Sequence, residues 1–144
     1  MGEADALGTE AWRQTAECRV KGVVFDAGGL IALERNDRRV LLILDAALAE
    51  DGRLIVPATA LAQVIRNPSR QVRLWRMIQF EGTEVIPLDG SQAQSVGALL
   101  AESGTADIAD AHVVVCGQAT GYAVITSDPA DLKRLDPNLQ LIPV

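Results

Sequence analysis

Residues 23–37 read VVFDAGGLIALERND, and this stretch decides the fold. Val23, Val24 and Phe25 form a short β-branched and aromatic run, the composition of a buried strand. The run stops at Asp26. Gly28 and Gly29 follow, where the missing Cβ atoms permit close backbone approach, and LIALER at 30–35 turns to helical spacing. A strand that ends in a carboxylate and feeds a helix is the opening of an α/β unit.

The rest of the chain repeats that alternation. RRVLLILDAALA from Arg38 to Ala49 is an apolar helix closed by the turn Asp51-Gly52, and Leu54–Val56 is a second strand. Pro57 fits the first turn of a helix reading TALAQVIR, since its missing N–H is not needed there. Pro68 breaks that helix, and SRQVRLWRMIQF forms another as far as Phe80. EVIPL at 84–88 is a third strand, Ser91 to Glu102 a helix punctuated by Ser103-Gly104, and a helix runs from about Ala106 to Gln118 until Gly121. YAVIT at 122–126 is a fourth strand, Pro129 to Leu135 a short helix, and LQLIPV a closing fifth strand. Strands alternating with helices at this spacing predict an α/β fold with a mostly parallel five-stranded sheet.

Composition agrees. The 144 residues suit one domain, and with 49% apolar but only 3% aromatic residues the core must be Val, Leu, Ile and Ala. Residues 1–20 lack sustained apolar periodicity and read as an N-terminal tail, flexible or holding a short helix around Trp12, with the domain spanning 21–144. Their acidic, polar opening is not a signal peptide, and no apolar run approaches the roughly 18 residues of a membrane span. Cys18 and Cys116 form no disulfide framework and have no zinc spacing, so reduced thiols and a cytoplasmic location are expected. A net charge of −6 argues against a chain that grips nucleic acid through overall positive charge. It leaves room for a local basic strip, or for cations that reverse the sign of an acidic pocket.

The carboxylates suggest such a pocket. In parallel sheets ligands bind beyond the carboxyl ends of the strands. Asp26 ends the first strand, and Asp128 follows the fourth after Thr126 and Ser127. Asp107 and Asp110 stand three apart on one helix and share a face, beside an apolar stripe of Ile108, Ala111 and Val115. Asp131 lies one turn past Asp128. Each has a plainer reading: Asp128 before Pro129 is a respectable helix cap, Asp107 suits a first turn behind a Thr105 cap, and Asp26 could cap the first helix. Capping does not explain Asp110. Two carboxylates about 4 Å apart repel by roughly 4 kcal/mol at an effective dielectric near 20, so several together call for a cation. Oxygen-only ligands favour Mg²⁺ or Mn²⁺ over zinc.

Four stretches, taken in order, resemble PIN-domain ribonucleases, including the VapC-type toxins of toxin–antitoxin pairs. VVFDAGGLIALERND resembles their first element, VPATALAQVIRN (56–67) the second, ADIADAHVVVCG (106–117) the third, and VITSDPADLKRL (124–135) the closing one. The similarity covers about residues 21–143. It implies a three-layer PIN-like fold, with the sheet flanked by helices, and assigns Asp26, Asp110 and Asp128 to catalysis and metal binding. Asp107 and Asp131 become outer or second-metal ligands, and Thr126 or Ser127 would hold a ligand water. It also implies an RNA substrate, a small antitoxin partner and a homodimer, the last also suggested by the apolar surface of the opening helix and the Leu-rich stretch 40–48. The family usually has glutamate on its second helix, where this chain has Gln63, expected to face the same cavity. An amide oxygen still coordinates a hard cation but contributes no charge. The alternative is therefore a catalytically impaired PIN-like module that binds RNA or protein.

Arg66, Arg70, Arg73 and Arg76 form a basic run, either a solvated helix face or a strip for RNA phosphates. His112, the only histidine, reads as a satisfied core residue, and Trp12 and Trp75 as packing. A receiver domain would need a phosphoacceptor Asp after the middle strand, and a haloacid-dehalogenase-type phosphatase would need DxD where this chain has DAG at 26–28.

Overall fold

The computed structural model describes residues 21–144, and the tail expected at 1–20, with Trp12 and Cys18, lies outside the described residues. Five strands, β1 (Gly22–Phe25), β2 (Arg53–Pro57), β3 (Thr83–Ile86), β4 (Ala123–Thr126) and β5 (Leu141–Pro143), make one sheet in the order β3-β2-β1-β4-β5. All four pairings are parallel, so the sheet is wholly rather than mostly parallel. Seven helices complete the described chain: α1 (Ala27–Glu34), α2 (Arg38–Ala49), α3 (Ala58–Val64), α4 (Val72–Gln79), α5 (Gly90–Ser103), α6 (Ile108–Thr120) and α7 (Pro129–Leu135). α1 packs with α2, α3 and α4, while α6 packs with α5 and α7, giving a three-layer architecture with the sheet in the middle. None of the described helices is long and apolar enough to cross a membrane.

The strand order places a topological switch beside β1. The chain steps outward through β2 and β3, then returns to lay β4 on the other side of β1. A crevice opens beyond the carboxyl ends of two strands that diverge in this way. Register fixes what lines it: Phe25 is paired with Ile125, so Asp26 and Thr126 leave the sheet side by side.

The core is aliphatic, as the composition required. Val24, Phe25, Leu30, Val56, Leu74, Val114 and Ile125 are inaccessible to solvent. In α6 every residue from Ala111 to Gly117 is buried, His112 included, and a helix enclosed on all sides tolerates no charged face along that run. Its only acid, Asp110, therefore sits in the first turn.

Several boundaries differ from expectation, each for a local reason. Pro57 is the last residue of β2 and the cap position of α3, not its first turn. α3 ends at Val64, and the next helix splits into a 3-10 turn (Pro68–Arg70) and α4. The break is held by Gln71, which is buried: its Oε1 accepts from the Arg66 and Asn67 amides (3.0 and 3.2 Å) and its Nε2 donates to the Val64 carbonyl (2.8 Å). α6 starts at Ile108, two residues later than expected, because Asp107 rather than Thr105 is its cap, accepting from the Asp110 amide at 2.9 Å. Ile108 consequently leaves the apolar stripe and is 52% exposed.

Candidate metal centre

Asp26 lies at the floor of the crevice and is 5% exposed. Its amide extends the β1–β4 ladder by donating to the Ile125 carbonyl (3.1 Å), and its Oδ1 caps α1 by accepting from the Gly29 amide (2.7 Å). Capping and a place in the crevice are therefore not alternatives at this residue. The two glycines bring α1 close enough for both. A Cβ at Gly29 would stand 2.6 Å from the Ile125 carbonyl oxygen, and one at Gly28 would stand 1.8 Å from the Ser127 hydroxyl. Ser127 thus packs over the start of α1.

Thr126 joins the two strand ends. Its buried hydroxyl is within hydrogen-bonding reach of the Asp26 carboxyl and accepts from the Asp128 amide at 2.9 Å. Asp128 occupies the cap position of α7, but its side chain makes no cap hydrogen bond. The capping reading of Asp128 is thus met in position but not in bonding, since the cap amides gain no hydrogen bond from its carboxylate. Asp131, one turn on, stands close enough to Asp128 for that carboxylate to raise its own.

Electrostatics tie these groups to α6. Burial, then the charges of Asp107, Asp131, Asp26 and Asp128, push the half-buried Asp110 carboxyl up to about 6. Burial also raises Asp26, against the opposing hydrogen bonds of Thr126 and Gly29, and the charge of Asp128 raises it further. Asp131 is raised by its hydrogen bond to Asp128 and by that residue's charge, with Arg134 the one opposing cation. Five carboxylates from three elements therefore share one edge of the sheet with almost no positive charge among them.

That donor set is all oxygen and strongly anionic, which suits a hard divalent cation such as Mg²⁺ or Mn²⁺. Among the described residues, however, no three His, Cys, Asp or Glu side chains stand together as a formed metal-binding group. Asp26 is buried and Asp110 partly so, while Asp107 and Asp128 are exposed.

Gln63 lies on α3, which packs against both α1 and α6. Its side chain is exposed and has no hydrogen-bond partner. One turn earlier on the same helix, Thr59 bonds the buried His112 at Nδ1 (2.8 Å). Nε2 of His112 is buried without a partner, so this histidine is half-satisfied rather than the satisfied core residue expected. The arginines lie on a separate surface. Arg66, Arg70, Arg73 and Arg76 are all exposed, and none is paired with a carboxylate. Arg73 makes a long hydrogen bond (3.5 Å) to the carbonyl of Glu34, the last residue of α1. Asp26 caps the other end of that eight-residue helix, which sets the basic run roughly 12 Å away along the helix axis. A pocket lined by Gly117, Gln118, Tyr122 and Asp136 lies at the far end of α6 and takes no part in the acidic crevice.

Two arrangements were not legible beforehand. The Gln71 clamp depends on three backbone groups that only the fold brings together. The Thr126 bridge depends on register; the adjacency of Thr126 to Asp128 in sequence was its only signal.

No family model matches this chain, and no curated protein does. Solved structures do. VapBC2 from Rickettsia felis bound to a DNA fragment from its promoter superposes with a TM-score of 0.62 at 17% identity, covering 85% of this chain and 98% of that one. FitAB bound to a DNA fragment gives 0.59 at 18% identity, covering 84% and 94%. FitAcB from Neisseria gonorrhoeae gives 0.57 at 17% identity, covering 83% and 96%. At these identities the likeness is one of fold: the chain has the three-layer, PIN-like α/β fold of these structures.

Proposed function

We propose that this chain is a metal-dependent endoribonuclease that hydrolyses RNA phosphodiester bonds and acts as the toxin of a toxin–antitoxin pair. What supports the reading is that Asp26, Asp110 and Asp128 lie on one edge of the sheet by the switch between β1 and β4, where their charges and those of Asp107 and Asp131 help raise the Asp110 carboxyl to about 6. A structural cluster would be neutralised by Lys or Arg; this one has only Arg134 near Asp131.

Asp26, Asp110 and Asp128 would hold Mg²⁺ or Mn²⁺, with Asp107 and Asp131 as outer ligands and the Gln63 amide oxygen as a neutral donor. When bound, the cation supplies a water activated for attack and charge stabilisation at the phosphoryl group. The chain's own residues orient and exclude. Thr126 fixes Asp26 relative to Asp128, and Ser127 against Gly28 holds the start of α7 over α1. An RNA strand laid along α1 would reach the unpaired Arg66, Arg70 and Arg73, which contact phosphates and carry no base specificity. The PIN-fold complexes that this chain is similar to support a small antitoxin as partner. Exposed Ile31, Leu42 and Leu48 on α1 and α2 support a homodimer.

The test is RNA cleavage with and without Mg²⁺ or Mn²⁺ in the natural protein, Asp26→Asn and Gln63→Glu. Cleavage that needs metal, is abolished in Asp26→Asn and is retained or raised in Gln63→Glu at limiting Mg²⁺ is the expected result. RNA or protein binding with no cleavage in any variant would favour the PIN-like binding module instead.

A further inference from the structure

The half-satisfied histidine stands among groups that share its position. Thr59 is in the first turn of α3, Gln92 in the first turn of α5 and His112 in the second turn of α6. α3 and α5 follow the carboxyl ends of β2 and β3, the edge of the sheet where Asp26 and Asp128 emerge. Two side-chain atoms on α5 and α6 are buried without partners, Oε1 of Gln92 and Nε2 of His112. Gln92 lies one turn before Val96, the buried residue of α5, so its oxygen sits on the face that packs along α6. Asp89, which accepts from the Gln92 amide at 2.9 Å, is near enough for its charge to act on the imidazole. One orphan is an acceptor, and the other is a donor when Nδ1 accepts a hydrogen bond from the Thr59 hydroxyl. Buried polar atoms with complementary chemistry in one interface call for a common explanation.

We infer that Thr59, His112 and Gln92 form a buried polar lock joining α3, α6 and α5, which positions Gln63 and Asp110 for the metal-dependent reaction proposed above. His112 is the Nε2–H tautomer, accepting from Thr59 and donating to Gln92 through one bridging water, since no direct bond joins the two orphaned atoms. α3 is the element that touches both helix layers. Its register against α6 sets the height of Gln63, one turn after Thr59, relative to the first turn of α6, which carries Asp110. The Thr59–His112 hydrogen bond is directional and ties α3 to α6 at one height, and a bridged bond at Nε2 would tie α5 to the same point. All three are positioning residues and touch neither metal nor substrate. The inference rests on the nuclease reading only for its consequence, since the lock itself is a property of the folded chain.

His112 is the only histidine in the sequence, so its ¹⁵N resonances need no assignment. In the full chain, long-range ¹H–¹⁵N spectra should show the proton on Nε2; a proton on Nδ1 overturns the lock. Thr59→Val removes the hydroxyl at nearly constant volume, and Thr59→Ser restores it. Thr59→Val should raise the half-saturating Mn²⁺, read both by RNA cleavage and by thermal shift, about fivefold, below the roughly 10- to 100-fold loss when a ligand's own outer-shell partner is removed. Maximal cleavage at saturating Mn²⁺ should stay within about twofold, and Thr59→Ser should return the Mn²⁺ dependence to that of the natural protein. A lower melting temperature in Thr59→Val with an unchanged Mn²⁺ requirement makes the contact merely structural and overturns the positioning role. If the natural protein binds Mn²⁺ without cleaving RNA, the nuclease reading fails, and the thermal-shift arm alone decides the lock's effect on the metal site. No Mn²⁺ response in the natural protein overturns the positioning role with it.

Discussion

Asp110 holds its negative charge against burial and four neighbouring carboxylates. Its folded-state carboxyl titrates at about 6, against 3.8 for the ordinary group. Below 3.8 it is protonated both folded and unfolded and exerts no penalty. Between the two values the unfolded chain releases the proton first, so this group's contribution to stability falls as pH rises; above about 6 the penalty is complete. Asp110→Asn in EDTA should therefore stabilise the fold at pH 8 and have little effect at pH 3.5. The side chain is half in water, so screening reduces the gain to about 1 kcal/mol. Urea unfolding of both proteins at both pH values checks this, and an equal effect at the two would contradict the origin assigned to the shift. Added Mg²⁺ should reverse the order at pH 8, because a cation that binds the native state stabilises the natural chain more than the variant.

At the scale of elements, the same glycine type has opposite roles in α1 and α5. Gly29 lets the first turn of α1 lie on the end of β4, and its replacement by alanine would drive a Cβ to 2.6 Å from a backbone oxygen that has no rotamer with which to escape. Gly97, inside α5, has nothing within 4 Å of the same position. Gly29→Ala should destabilise by about 2 kcal/mol, within the range for overpacking a tight contact. Gly97→Ala should stabilise by roughly 0.5–1 kcal/mol, the helix-interior difference between the two residues. Denaturant midpoints of the two variants measure both, and two changes of like sign would refute the argument. The alternation of strands and helices was legible because β-branched runs and helical spacing are local signals, and each of the five strands lies where its apolar run stands. The α3–α4 break was legible in Pro68, but its length was not, because Gln71 holds the loop open by bonding back across it to Val64, Arg66 and Asn67. At the acidic edge, strand ends fixed the places of Asp26 and Asp128. What remained hidden was that Asp128 would leave its cap amides unbonded and that Thr126 would bridge it to Asp26, both consequences of register between strands about a hundred residues apart in sequence.

For the whole molecule, surface chemistry separates into regions. The acidic crevice occupies one edge of the sheet, the unpaired arginines lie beyond the far end of α1, and apolar side chains are exposed on α1 and α2. Ile31 is 36%, Leu42 46% and Leu48 39% exposed, on helices that pack against each other. Single exposed leucines need no explanation, but neighbouring ones on adjoining helices are surface that a second copy would cover. The α2 sequence supports this reading: its buried face, Val40, Ile43 and Leu44, already meets the core, so Leu42 and Leu48 add nothing to the monomer's interior. Light scattering should therefore give a dimer at high micromolar concentration. Leu42→Glu places a charge on that face without touching the core, and should shift the protein to monomer while leaving its helical circular dichroism unchanged. All five carboxylates of the acidic edge come from a single chain, so the Leu42→Glu monomer should keep its Mn²⁺ thermal shift. A natural protein that is monomeric at high micromolar concentration would remove the dimer, and a Leu42→Glu protein that stays dimeric would place the interface elsewhere.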